Sequence, residues 1–202
     1  MRDKAKPLRT MMYVPGNKED WVRKAPKYGS DALIIDLEDS VPPDEKPIAR
    51  EIVSRLVPEL ASEGVTLFVR VNDMETGLTE EDVSFAVQKG TYGITLPMTR
   101  GPEDVKAIDE LITSEEKKKG IEHGSVLIDP GLETATGMRF AYDVGISSER
   151  VAHMGAGGGR GGDIARAIGY RWTAMGTETL FIRSKVLLDS RAAGVPYPTT
   201  GL

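Results

Sequence analysis

Short apolar runs recur along this chain at a spacing of about 30 residues, each followed by a longer amphipathic stretch, the alternation that parallel strands joined by helical crossovers require. The runs are TMMYVP (10–15), ALIIDLED (32–39), TLFVRVN (66–72), GITLPM (93–98), SVLIDPGLE (125–133) and RVAHMGAG (150–157), and VPYP (195–198) begins a seventh. Between them lie helical stretches. In EKPIAREIVSRLVPELASEG (45–64), Ile48, Ile52, Leu56 and Leu60 share one helix face, with Pro58 expected to disturb the last turns. TEEDVSFAVQKG (79–90) opens with a capping-box pattern, Thr79 to Asp82, and Pro102 stands at the first position of the stretch 102–120. A doubly wound sheet and a (β/α)8 TIM barrel both fit. Complete barrels run to about 250 residues, and this chain has 202. On spacing and length both stay open: residues 1–202 are expected to form a single α/β domain, and a (β/α)8 TIM-barrel type would be incomplete at the C-terminus as given.

Bulk properties narrow the functional classes. An apolar share of 40% with 28% charged residues is that of a soluble globular protein. A net charge of −5 argues against nucleic-acid and membrane partners, which favour a basic face. No cysteine means no disulfide framework and no thiolate metal site. The basic start MRDKAKPLR has no apolar stretch after it, and no run approaches the roughly 18 residues of a spanning helix, so a cytoplasmic protein is expected.

In parallel α/β folds the functional groups gather at the carboxyl ends of the strands. Read there, the strands present PGN (15–17), then Asp36, Glu38 and Asp39, then Arg70 and Asn72, then Pro97, Met98 and Thr99, then Asp129 and Glu133, and finally a glycine loop leading to Asp163. Carboxylates crowded at one rim are kept ionised by a cation between them. Oxygen ligands without cysteine, and only two histidines, favour Mg²⁺. A nearby guanidinium clamps a carboxylate with two prongs. Together they suggest a Mg²⁺ site that binds an oxo-acid and stabilises an enolate. Plainer readings stand beside these. Asp36 and Glu38 can simply pair with Arg70, Glu133 can serve a helix dipole, and Asp163 can act as an N-cap. The run SEEKKKG (114–120) reads as solvated helix surface, His123 and His153 as structural, and Met11, Met12 and Trp21 as core.

Several segments in order resemble the citrate lyase beta-subunit-like family of acyl-CoA lyases and thioesterases, relatives of malyl-CoA lyase. They are RTMMYVPGN (9–17), DALIIDLEDSVPPDEKPIAR (31–50), VRVND with TGLTEED (69–82), ITLPM (94–98), LETATGM (132–138), GGDIARAIG (161–169) and RSKVLLDSRAAGVP (183–196). The resemblance implies a (β/α)8 barrel assembled as a homo-oligomer, commonly a trimer. It implies Mg²⁺ held by Glu133 and Asp163, and a 2-oxo acid held by Arg70. Asp36 and Glu38 would order metal-bound water and Arg70. Lys18, beside Asn17, would approach the phosphates of a CoA thioester such as malyl- or citryl-CoA, cleaved or formed in a Claisen-type step. Three departures stand out: Met98 where the family carries lysine, extra glycines across Gly155–Gly162, and the absence of the last two βα units. A class II pyruvate-type aldolase without CoA and a non-catalytic partner subunit are the alternatives. GGGRGG (157–162) also satisfies a dinucleotide-binding pattern, but at the sixth strand rather than the first, where it carries little weight.

Overall fold

The structure, a computed structural model, describes residues Met1–Gly201. The strands are β1 (Met11–Pro15), β2 (Ala32–Asp36), β3 (Leu67–Arg70), β4 (Gly93–Leu96), β5 (Leu127–Pro130), β6 (His153–Gly157) and β7 (Tyr197–Gly201). Between them run α1 (Glu19–Lys24), α2 (Lys46–Ser62), α3 (Thr79–Ala86), α4 (Pro102–Lys119), α5 (Ala135–Arg139), α6 (Ala141–Ile146), α7 (Asp163–Ile168) and α8 (Thr177–Ala192). Strands β1 to β5 hydrogen-bond in sequence order and β6 pairs with β7. The expected α/β class with a parallel sheet is present, each apolar run holds a strand, and among the described residues the strands do not close into a ring. No helix of the described residues is long and apolar enough to cross a membrane.

The chain forms two compact units, one of Lys6–Thr95 with Glu110–Leu127, the other of Met1–Ala5, Leu96–Asp109 and the residues from Ile128 onward. In the first unit, β2 and β3 are near-continuous apolar runs because both faces are covered. Leu33, Ile35 and Leu37 are buried, and Ala32, Ile34 and Phe68 pack with Leu8, Met11 and Tyr92. Helix α2 packs on β3 and α3. Its buried face carries Ala49, Ile52, Val53, Leu56, Val57 and Leu60, whereas Ile48 is 49% exposed, so the apolar stripe is rotated from the one read in the sequence. The helix also runs through Pro58 to Ser62. A proline inside a helix costs about 3 kcal/mol, and burying Leu56, Val57 and Leu60, at roughly 1.5–3 kcal/mol each, outweighs it.

Three further expectations for this unit are corrected. Trp21 is 60% exposed, and Met11 and Met12 are only half-buried, because the outer side of β1 and α1 is not covered by other described residues. Glu116, read as solvated, is fully buried: its carboxylate accepts the amides of Gly124 (2.9 Å) and Val126 (3.0 Å) and so fastens the turn before β5. The Thr79–Asp82 capping box does not form. The Thr79 hydroxyl instead donates to the carbonyls of Asn72 and Asp73, and Asp82 turns inward.

In the second unit β6 and β7 are in register from His153 opposite Tyr197 to Gly157 opposite Gly201. A Cβ at Gly155 would lie 1.9 Å from the Thr199 carbonyl oxygen, so only glycine lets these strands approach. Helix α8 covers both strands and packs on α6. The imidazole of His153 is buried and stacks on Tyr197, a structural placement as expected. The guanidinium of Arg2 donates to the carbonyls of Ala193 (2.6 Å), Ser148 (3.2 Å) and Gly145, holding the first residues against the ends of α6 and α8.

Candidate active site

Asp36 is the last residue of β2 and Arg70 the last of β3, and the two are register partners. Parallel neighbours in register project their side chains to the same side of the sheet, so the sequence brings a carboxylate and a guanidinium together at the strand ends. Arg70 grips Asp36 with two prongs, Nε to Oδ1 at 2.7 Å and Nη2 to Oδ2 at 2.8 Å. Its Nη1 lies 2.8 Å from Glu38 Oε2, and its face rests on the Tyr13 ring, 4.9 Å from the centroid. Asp36 is turned toward Arg70 by its own loop: it accepts the amides of Glu38 (2.9 Å) and Ser40 (3.0 Å) and the Ser40 hydroxyl (2.5 Å). β1 reaches this corner through Gly16, whose amide donates to the Asp36 carbonyl at 2.8 Å; a Cβ there would sit 2.7 Å from that oxygen.

Burial pushes the Asp36 carboxyl upward, but the bonds from Arg70 and from its own loop outweigh that and hold it below the usual carboxylate range. Burial opposes the charge of Arg70, and its pairing with Asp36 and Glu38 overrides this and raises it further. Both groups therefore stay charged at neutral pH. Beside them opens a cavity of about 340 Å³ lined by Tyr13, Pro15, Asp36, Asp39, Ser40 and Arg70.

A second, buried layer lies behind the strand ends; sequence reading named Asn72 there but missed Lys46, Arg50 and Asp82, which surround it. Lys46, the first residue of α2, points its ammonium at the carbonyls of Leu37 (2.8 Å) and Glu38 (3.1 Å) and at Asn72 Oδ1 (2.8 Å). Asn72 returns its side-chain amide to the Leu37 carbonyl (3.0 Å) and to Asp82 (2.6 Å), and its backbone N–H also reaches Asp82 (2.7 Å). Arg50, one turn further along α2, donates to Asp82 at 2.7 Å and to Glu81 at 2.5 Å. The available signal was Lys46 and Arg50 at i, i+4 on a face otherwise filled by Ala49, Ile52 and Val53.

The remaining candidates have other surroundings. Lys18 is exposed and pairs with Glu45 at 3.4 Å, while Asn17 donates to the same carboxylate at 2.5 Å. In the second unit Glu133 is half-buried and accepts the Met98 amide at 2.9 Å. Met98 holds φ 51°, a left-handed conformation rare for a residue with a side chain. The loops after β4 and β5 are laced together here: the Gly131 amide donates to Leu96, the Thr99 amide to Gly131, and the Thr134 hydroxyl to the Thr99 carbonyl. Asp163 opens α7 after the glycine loop, with Gly162 rather than itself at the N-cap, and pairs with Arg166 at 2.5 Å. Thus Arg70, Asp36 and Glu38 are gathered in one constellation, while Lys18, Glu133 and Asp163 each have a separate set of partners. Among the described residues no group of three or more His, Cys, Asp or Glu is arranged to hold a metal. The donor chemistry of Glu133 and Asp163 still suits Mg²⁺, which takes one or two carboxylates and completes its shell with water. The Met98 amide already fixes the Glu133 carboxylate at the end of its loop.

A parallel α/β protein with an arginine–carboxylate constellation at its strand ends is thus defined by the coordinates alone. Comparison with known proteins places it further. Residues 9–200 match the HpcH/HpaI aldolase/citrate lyase family, and the chain belongs to that family. It is 32% identical over 192 residues to the citrate lyase subunit beta of Escherichia coli K12, covering 95% of this chain and 63% of that protein. It is 26% identical to the mitochondrial citramalyl-CoA lyase of Homo sapiens, covering 94% of this chain and 57% of that protein. The chain therefore spans about six-tenths of the length of these relatives. Among solved structures, the protein CitE of Mycobacterium tuberculosis in complex with magnesium, acetoacetate and coenzyme A matches with a TM-score of 0.69 and 23% identity, over 100% of this chain and 67% of that one.

Proposed function

We propose that this chain is a Mg²⁺-dependent carbon–carbon lyase, or a thioesterase, acting on a 3-hydroxyacyl-CoA thioester such as malyl-, citryl- or citramalyl-CoA. The observation that carries the reading is the two-pronged Arg70–Asp36 pair at the ends of adjacent strands, flanked by Glu38. The kinship to citrate lyase beta and citramalyl-CoA lyase supplies the reaction class.

A guanidinium carries five N–H donors. Asp36 takes two from Arg70 and Glu38 pairs with Nη1, which leaves one on Nη1 and one on Nη2 for the carboxylate of a 2-oxo acid. The corner also holds Asp36, Glu38 and Asp39 against Arg70, with the buried Lys46 ammonium behind them, so an anionic ligand entering alone still meets an excess of one negative charge. That imbalance favours a ligand accompanied by a divalent cation; the family resemblance assigns Glu133 and Asp163 to the metal. When bound, Mg²⁺ supplies Lewis-acid polarisation of the oxo-acid oxygens. In the cleavage direction the hydroxyl proton is removed and the hydroxyl carbon becomes the carbonyl of the oxo-acid. The electron pair of the broken C–C bond passes to the acetyl thioester as its enolate, and protonation there gives acetyl-CoA. Arg70 holds the oxo-acid carboxylate through this sequence, Asp36 and Glu38 keep the guanidinium in place, and Lys18 with Asn17 lies toward the CoA phosphates. A homo-oligomer belongs to the same reading.

The test is a chromatographic assay of malyl-, citryl- and citramalyl-CoA cleavage with Mg²⁺ and with a chelator, on the wild type and on Glu133→Gln and Asp163→Asn. Metal-dependent release of acetyl-CoA or free CoA is expected, abolished in both variants with the melting temperature kept. Full turnover in chelator or in either variant overturns the metal assignment. Cleavage confined to CoA-free hydroxy-keto acids selects the pyruvate-type aldolase, and inertness toward every substrate selects the non-catalytic subunit.

A further inference from the structure

We propose that Lys46 is a positioning residue: its buried ammonium locks the loop that carries Asp36 and Glu38, and through that loop it sets the Arg70 guanidinium for an anionic ligand. The proposal rests on the reading of Arg70 as the carboxylate clamp. Lys46 occupies the first position of α2, the end of a helix where its dipole disfavours a cation. It is also only 9% exposed, and burying an ammonium is costly unless every donor is met. Both penalties make it a poor choice for stability alone, since an apolar side chain there would avoid them.

What the ammonium touches accounts for its place. Its three donors meet three oxygens, two of them the consecutive carbonyls of Leu37 and Glu38 and the third the side chain of Asn72. The carbonyls fix the two peptide planes around Glu38, and so the direction in which Glu38 leaves the backbone toward Arg70. The amide of Glu38, in the plane that carries the Leu37 carbonyl, donates to Asp36 Oδ1, the oxygen that also receives Arg70 Nε. Asn72 stands two residues beyond Arg70, so Lys46 couples the loop after β2 to the loop after β3. Asp82 and Arg50 brace Asn72 from α3 and α2. Asp36, Glu38 and Asp82 surround the ammonium with negative charge and Arg50 adds the opposing sign. An uncharged substitute therefore loosens the lock without opening a large cavity.

The test is ¹⁵N NMR of arginine side chains with calorimetric titration of oxaloacetate in the presence of Mg²⁺. The Nε–H resonance of Arg70 is identified as the one missing from Arg70→Lys, and that of Arg150, which pairs with Asp109, is the control. In Lys46→Met, the Arg70 proton is expected to shift and to exchange about tenfold faster, the Arg150 proton to be unchanged, and oxaloacetate binding to weaken about tenfold, or 1.4 kcal/mol. If Lys46→Met does not fold, Lys46→Gln, which keeps one neutral donor, carries the same comparison with a smaller change. An unmoved Arg70 resonance overturns the proposal, and so does an equal change at Arg150, which means general loosening. If the wild type binds no oxaloacetate while the Arg70 resonance alone responds to Lys46→Met, the clamp reading fails and the positioning role stands.

Discussion

Replacing Arg70 by methionine keeps the apolar stem and removes the guanidinium from a carboxylate that is 1% exposed. Asp36 then loses two charge-assisted bonds and keeps three donors from its own loop, the amides of Glu38 and Ser40 and the Ser40 hydroxyl. Stranding one partner of a buried pair costs about 3–5 kcal/mol. The remaining donors and the adjoining cavity place this case at the lower end, about 3 kcal/mol at pH 7. The cost must depend on pH in a defined direction. In the wild type Asp36 is held below its ordinary value, so its contribution is present above the unfolded carboxyl pKa and is lost as pH falls through the folded one. In Arg70→Met the opposing effect of burial prevails, the carboxyl rises, and protonation relieves the stranded charge. The gap between the two proteins is therefore widest near neutrality and narrows on acidification. Urea unfolding followed by circular dichroism at pH 7 and pH 4.5 measures both. A cost below about 1 kcal/mol at pH 7, or an equal cost at the two pH values, refutes the claim that Arg70 and Asp36 are one electrostatic unit.

Burial pushes the His153 imidazole down to about 4, against a hydrogen bond involving the Tyr197 backbone. A depressed histidine contributes stability that is full above the unfolded value near 6.5 and is lost as pH falls toward 4. About 2 kcal/mol should disappear between pH 7 and pH 5, and His153→Gln should flatten that slope in denaturant titrations. Glu116→Gln turns an amide N–H₂ toward the amides of Gly124 and Val126 and should cost about 1–3 kcal/mol in thermal unfolding, where a solvated glutamate would cost almost nothing.

The strand positions are legible in the sequence because parallel strands covered on both faces must be short unbroken apolar runs, and nothing else in the chain has that form. The pairing of Arg70 with Asp36 is legible for a related reason, since strand-end residues of adjacent parallel strands are neighbours whatever the loops do. Tertiary partners were not. Asp82 follows Thr79 at capping-box spacing, but a capping box yields when a buried asparagine and arginine compete for the same carboxylate, and neither lies within nine residues of it in sequence. Glu116 stands beside the exposed Lys117, Lys118 and Lys119, and only the fold of the following turn brings two amides to it. The rotation of α2 shows the same limit: Ile48 satisfies the helical period as well as Val53 does, and which of the two is covered depends on where the sheet and α3 lie.

Arg2 has a consequence for the order in which the molecule is made. The carbonyls it holds belong to Gly145, Ser148 and Ala193, so the grip completed by Ala193 spans 191 positions of chain. During synthesis, which runs from the amino end, Arg2 leaves the ribosome well before Ala193 and has no complete docking site until α8 has emerged. The turn that carries Arg2 is therefore among the last pieces to settle, and its protection from protease during translation reports when α6 and α8 have come together.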